Sequence, residues 1–269
     1  MDKIWWQSLS SPEWAGPYQD YLTRHAETVL DGTAEFHLGG LPASTFGQFA
    51  PMSILGYPLA SQVLMEQLPG LALEAEDKGF SAFVIASYSE PHLRVIRSAV
   101  DIPVVSVAES TLLAACSNAQ QIGIVVITPE LRQVVADIVT RHGLTSRVAH
   151  IAVLEPVVLE HELADQAFAD PSDIASRFER AAAECAAAQA DVVIPGEGIL
   201  SEVVHAAGLR TAGGIGVVDC LGVTLLHAQF QIAAARRAGL TRGRMWSYPK
   251  LPADKDAFIR AKMAKPGTP

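Results

Sequence analysis

Residues 191–199 read DVVIPGEGI. The apolar run Val192-Val193-Ile194 has the composition of a short buried strand, and Pro195-Gly196 stops it. A carboxylate, Glu197, then stands between two glycines. A second stretch has the same form: AFVIAS at 82–87, an apolar run ending on Ser87. Further on, VVSVAESTLLAA (104–115) and VVDCLGVTLLHA (217–228) align without a gap. Each is a strand end, a loop and the helix start Thr-Leu-Leu-x-Ala. The four features recur in the same order, which marks two similar α/β halves.

The rest of the chain alternates the same way. Strands are expected at 3–9, 33–39, 82–87, 102–108, 121–128, 147–154, 191–196 and 215–219. Helices are expected at 129–144 and 171–189; in the first, Leu131, Val134, Val135, Ile138 and Val139 fall on one helical face and Gly143 supplies a stop. Strands alternating with helices read as βαβ units around parallel sheets. The strands are apolar throughout rather than alternating, as when helices cover both faces. Ligands of such sheets bind beyond the carboxyl ends of the strands. Ser87 and Glu197 are aligned at two such ends, and Glu109 and Asp219 follow the next pair.

Of the 269 residues, 49% are hydrophobic and 18% charged, enough apolar material for a sizeable core and too little charge for disorder. The net charge of −9 argues against nonspecific nucleic-acid or anionic-membrane binding. Cys116, Cys185 and Cys220 are few and widely spaced, so a disulfide framework or zinc knuckle is not expected and a reducing cytoplasm is. No signal peptide and no membrane-spanning run is legible. The histidines show no ligand spacing on one helix, so no metal is expected. GGIG at 213–216 lacks the order of a dinucleotide loop.

The segments 79–110, 122–135, 190–199 and 213–226 together resemble the aspartate/glutamate racemase superfamily. The similarity is greatest to its hydantoin-racemase branch, with maleate isomerase and arylmalonate decarboxylase as relatives. The resemblance implies two pseudo-symmetric lobes, each a parallel sheet flanked by helices, with the active site in the cleft between them and no cofactor. Residues 1–112 with 225–269 would form the first lobe and its C-terminal helix, and 113–224 the second. It also implies a small-molecule substrate and a homo-oligomer. The racemases use one cysteine from each lobe; the two positions fall on Ser87 and Glu197, and both cysteines are missing.

The replacement changes the available chemistry. A serine hydroxyl is no free base without an activator, whereas a carboxyl in apolar surroundings works near neutrality. Three mechanisms stay open. Glu197 could move a proton at carbon, as an isomerase or decarboxylase does. It could activate water to open a cyclic amide or imide, with Ser87 near the oxyanion. Or Ser87 could attack, although no histidine or G-x-S-x-G elbow accompanies it. A non-catalytic binding protein is a further reading. The resemblance implies ligand contacts at Tyr88 and Ser89, at Gly198 and Ile199, at Thr128, and loosely at Gln7 and Ser10.

Each of these has a plainer reading. Glu197 could be a solvated loop charge, and Ser87 a filler of the lost cysteine's space. Glu109 and Asp219 sit where helix N-termini favour acids. His37 is a further candidate ligand contact, in EFHLGGLPASTFG (35–47), where a strand gives way to a Gly/Pro/Ser loop that could close over the cleft; a surface or packed histidine is its plainer reading. Trp5, Trp6 and Trp14 could be core, or could line a pocket for a flat ring. A short C-terminal helix is expected within 250–269.

Overall fold

Strands buried on both faces should run parallel, and nearly all of these do. The computed structural model describes residues 1–11, 16–49, 51–165 and 167–263. The first sheet holds β1 (Asp2–Ser8), β2 (Ala34–Gly39), β3 (Ala82–Ala86) and β4 (Val104–Ser106), all parallel in the order β2-β1-β3-β4. The second holds β5 (Ile122–Val126), β6 (Val148–Val153), β7 (Val192–Pro195), β8 (Thr211–Ala212) and β9 (Ile215–Val217), in the order β6-β5-β7-β9-β8. Among the described residues only the two-residue edge strand β8 is antiparallel. Leaving that edge aside, each sheet runs second, first, third, fourth in its own chain order. The repeat seen in the sequence is therefore repeated in the topology.

Helices cover both sheets. In the first half they are α1 (Gly16–Leu30), α2 (Pro51–Leu55), α3 (Pro58–Met65), α4 (Leu68–Asp77), α5 (Leu93–Ala99) and α6 (Val107–Asn118). The second half adds α7 (Pro129–Arg141), α8 (Glu160–Asp165), α9 (Ser172–Ala187), α10 (Gly198–Ala206) and α11 (Cys220–Ala238). A last helix, α12 (Ala253–Met263), matches the one expected near the C-terminus; residues 264–269 lie outside the described ones. Among the described residues no helix is long and apolar enough to cross a membrane.

One strand is shorter than expected for a local reason. The run 102–108 gives way to helix at Val107, because Ser106 caps α6 by accepting from Glu109 N at 3.2 Å. Serine with an acid three residues on, Ser-Val-Ala-Glu, is a helix-start signature. In the gapless alignment Ser106 stands opposite Asp219. Asp219 caps α11 in the same way, accepting from Gly222 N at 2.9 Å.

Successive side chains of a strand point to opposite faces, and Trp5 and Trp6 show it. Trp6 joins a core shared by both sheets, with Ile4, Val84, Ile124 and Ile194. Trp5 joins a second core on the outer face of the first sheet, with Leu41, Phe46, Leu68 and Phe83. Leu41 and Phe46 are almost fully buried there, so the segment after β2 is packed as a wall and not poised as a lid. Trp14 lies outside the described residues.

At Gly213 a loop runs hard against a helix backbone. Its φ is +58°, and a Cβ there would lie 2.4 Å from Ala183 N of α9. Gly213→Ala is expected to lower stability by at least about 1–3 kcal/mol, read as a lower denaturant midpoint. An unchanged midpoint would show that this junction can move.

Candidate active site

The carboxyl end of β3 and the starts of α10 and α11 meet between the two sheets. A narrow pocket lies there, walled by Trp6, Ala86, Ser87 and Tyr88 from the first half and by Gly198, Ser201, Glu202 and Cys220 from the second. Its free space is about 10 Å³, room for a single water, so a ligand has to part these walls. A wider surface groove of about 560 Å³ runs between α7 and β6 and is walled by neither Ser87 nor Glu197.

Ser87 Oγ is 2.9 Å from Ser89 Oγ and accepts from Ser89 N at 3.2 Å. Ser8 and Ser10 form the same small turn at the end of the adjacent β1, with distances of 2.9 and 3.2 Å. The Tyr88 hydroxyl donates to Cys220 Sγ at 3.0 Å and lies 3.2 Å from Thr111 Oγ1. Burial pushes the Cys220 thiol up to about 12, against the hydrogen bond from Tyr88. It stays protonated and is no substitute for the missing nucleophiles.

Glu197 is half-buried and held in place. It is the N-cap of α10: its two carboxylate oxygens accept from Ile199 N at 3.0 Å and Leu200 N at 2.7 Å. Burial raises its pKa above the ordinary carboxyl value, against the backbone N–H groups of Ile199, Leu200 and Gly198, which lower it. Glu160, the first residue of α8, is its electrostatic neighbour. Burial and the Glu197 charge hold the Glu160 carboxyl well above the usual range. Tyr18 is buried within the field of Glu202, Glu197 and Glu160 and is kept a neutral hydroxyl by burial and by these charges.

Two imidazoles tie the halves together on either flank. His25 of α1 places Nδ1 2.8 Å from Glu202 Oε2 and Nε2 3.2 Å from Asp219 Oδ2. Burial opposes its charge, but the hydrogen bonds to Asp219 and Glu202 prevail and raise its pKa to about 9. Glu202 is raised by burial despite His25, while Asp219 is lowered by His25 despite its burial. On the other flank, His142 after α7 places Nε2 2.7 Å from Glu90 Oε2 and Nδ1 3.8 Å from Glu109 Oε1. Glu90 also accepts from Ser106 Oγ, and Glu109 pairs with Arg97. In each case an imidazole at the first helix after one sheet's first strand reaches two acids of the other half. One acid follows the third strand and one lies at the start of the last helix.

His25, His205 and Asp219 also bring donor atoms within 4.8 Å of one another. Their geometry suits a stack better than a cation. The two rings lie face to face at 3.6 Å and 11°. His205 already meets Tyr21 Oη at 2.7 Å and the Arg210 guanidinium at 2.9 Å. Burial and the charge on His25 push His205 down to about 4.

The His25 shift has a definite sign. Its folded pKa of about 9 lies above the ordinary 6.5, so its contribution is fully present below about pH 6.5 and is lost as pH rises through 9. The expected loss is about 3 kcal/mol at most. It is measured as the unfolding free energy between pH 6 and 10, and a His25→Phe variant should lack this slope.

The structure thus gathers Ser87, Tyr88 and Gly198 at one pocket, with Ser89 bonded to Ser87 beside it. Ile199 is buried and serves Glu197 through its backbone. Thr128 caps α7, accepting from Leu131 N at 3.3 Å, and Ser10 is bonded to Ser8. Glu197, Ser89, Ile199, Thr128, Ser10, Gln7 and His37 are not among the residues that wall the pocket, Glu197 standing next to the wall residue Gly198. Gln7 is wholly buried; it accepts from Trp5 Nε1 at 2.8 Å and donates to Ser8 O. His37 pairs with Trp5 across β1 and β2 and packs on Trp5 and Phe80, on the face opposite Trp6. Glu202, Cys220, Ser201 and Tyr18 are pocket residues the sequence did not single out. Glu202 carried a signal: it is a lone carboxylate in the apolar helix GILSEVVHA.

The family model of the Asp/Glu/hydantoin racemases matches residues 47–228, more than half of the chain. The chain belongs to the Asp/Glu/hydantoin racemase family. A hydantoin racemase of Pseudomonas sp. (strain NS671) is 34% identical over 98 residues, which cover 35% of this chain and 39% of that relative. The chain thus matches well under half the length of this curated family relative. Allantoin racemase from Klebsiella pneumoniae has the same fold, with a TM-score of 0.73 and 16% identity over 93% of this chain and 94% of that one. Unliganded arylmalonate decarboxylase aligns with a TM-score of 0.51 and 13% identity over 90% of this chain and 96% of that one. The family fold expected from the sequence, two parallel sheets flanked by helices, is the one found.

Proposed function

We propose that this protein is a cofactor-independent enzyme that moves a proton at a carbon of a small neutral cyclic amide. Glu197 is the acid/base and Ser87 the hydroxyl partner. One observation carries the reading: Ser87 and Gly198, the neighbour of Glu197, wall the same pocket although they come from different halves. The raised pKa of Glu197 brings a carboxylate base closer to neutrality, where proton abstraction is most efficient. The proton of a ring carbon next to a carbonyl would pass to Glu197 and return from it, with the carbonyl oxygen carrying the transient charge.

Charge selects a neutral ring over a free carboxylate. Among the described residues that wall the pocket there is no lysine or arginine, and Glu202 is one of them. Glu197 adds further negative potential nearby. The nearby His25 imidazolium is already paired with Glu202 and Asp219, so a carboxylate ligand would find no unpaired counter-charge at this wall. Two of the proteins similar to this chain are a hydantoin racemase and an allantoin racemase, which supports the ring amide. Ser87 is no activated nucleophile: its hydrogen bonds among the described residues go to Ser89 and to no histidine or acid.

The Glu160–Glu197 neighbourhood supports a second reading, ring opening by Glu-activated water. Incubation of neutral cyclic amides in deuterated water separates the two. Deuterium at a ring carbon, followed by NMR, supports proton transfer. Oxygen-18 from labelled water in a new carboxylate supports hydrolysis. Binding with neither product removes both enzymatic readings.

A further inference from the structure

Among the described residues one buried side-chain polar atom has no hydrogen-bond partner: Trp6 Nε1. Trp6 is only 3% exposed, yet it walls the pocket together with Ser87, Gly198 and Ser201. The preceding residue provides an internal comparison. Trp5, on the opposite face of β1, is equally well buried, and its Nε1 donates to Gln7 Oε1 at 2.8 Å. This strand can therefore supply an indole with a partner, and at Trp6 it does not. Unpaired buried donors are uncommon in native structures and cost stability, which makes each one a candidate for a role outside the folded core.

We infer that the Trp6 indole N–H is a ligand-binding donor that takes a carbonyl oxygen of a neutral cyclic amide. The inference rests on the proposed function and deepens it by naming the group that orients the ring. An uncharged donor at a pocket wall without lysine or arginine matches a carbonyl better than a carboxylate. Trp6, Ala86 and Leu22 wall the same pocket and give it apolar surface for a ring, and the Trp6 indole N–H is an unpaired donor among them. A site built around such a donor discriminates strongly against rings that lack the acceptor.

The test is NMR of the wild-type protein labelled with nitrogen-15 at tryptophan. The chain has four tryptophans, so the indole region holds few signals, and Trp6→Phe assigns the relevant one. Hydantoin and succinimide, both neutral ring imides, are titrated in, with calorimetry reporting binding independently. The expected result is a downfield movement of the Trp6 indole proton that saturates with the calorimetric affinity, while the Trp5 signal stays in place. Trp6→Phe should weaken binding about tenfold or more. If a ring compound binds and the Trp6 signal does not move, this inference is wrong and the proposed function survives. If neither compound binds or exchanges a carbon-bound proton, the neutral-ring reading falls and takes the inference with it.

Discussion

Replacing Glu197 with serine should lower turnover roughly 10²- to 10⁴-fold, the usual contribution of a general acid/base, while leaving the fold in place. Serine is chosen because Glu197 has two duties. It caps α10 through Ile199 N and Leu200 N, and loss of a cap costs about 0.5–2 kcal/mol. Serine is itself a favoured N-cap, so Glu197→Ser retains that duty and removes only the carboxyl. Glu197→Gln keeps the size and loses the base. The measurement is deuterium exchange at the ring carbon alongside the melting temperature. If Glu197→Ser melts normally and keeps full exchange activity, the residue is a cap and nothing more. If both variants lose exchange yet still bind the ring, the carboxyl acts in the chemical step.

His25→Phe is expected to cost about 3–5 kcal/mol, because it leaves Glu202 and Asp219 without their shared imidazolium. For a chain of this size that is a fall in melting temperature of roughly 10 °C. The double variant His25→Phe, Glu202→Leu should recover much of the loss, since removing both members of a buried pair is tolerated better than removing one. A second readout lies next door. His205 is held down to about 4 by burial and by the charge on His25, so its pKa should rise in His25→Phe. An unchanged His205 titration would mean that His25 carries no charge in the folded protein.

The sheets were legible because buried parallel strands announce themselves as continuous apolar runs, and because the chain states the pattern twice. The repetition aligns Ser87 with Glu197 as two strand ends facing one cleft; Ser87 walls the pocket, and on the second half Gly198, the residue after Glu197, does. Capping was underread: Ser106 with Glu109, and Glu197 before Gly198-Ile199-Leu200, are local signals that a helix begins. The strand β8 left no trace, since two residues form no period. Gln7 and His37 share the Trp5 face of β1 and β2, and which face a residue takes depends on strand register, which a one-residue shift reverses. The His25 cluster could not be read at all. His25 meets Glu202 and Asp219 from 177 and 194 residues away in the chain, and no local pattern encodes such a meeting.

The two imidazole crossings bear on what happens if the chain is divided. Each half contributes a histidine whose acids belong to the other half: His25 to Glu202 and Asp219, His142 to Glu90 and Glu109. A fragment ending after α6 and a fragment beginning at β5 would each carry an unmatched set, one imidazole awaiting acids and one pair of acids awaiting an imidazole. Mixed together, such fragments should find each other in one arrangement only, aided by reciprocal charge at low salt and more slowly as salt screens it. The internal duplication has thus left each half a lock for the other's key, and the pocket lies between the two.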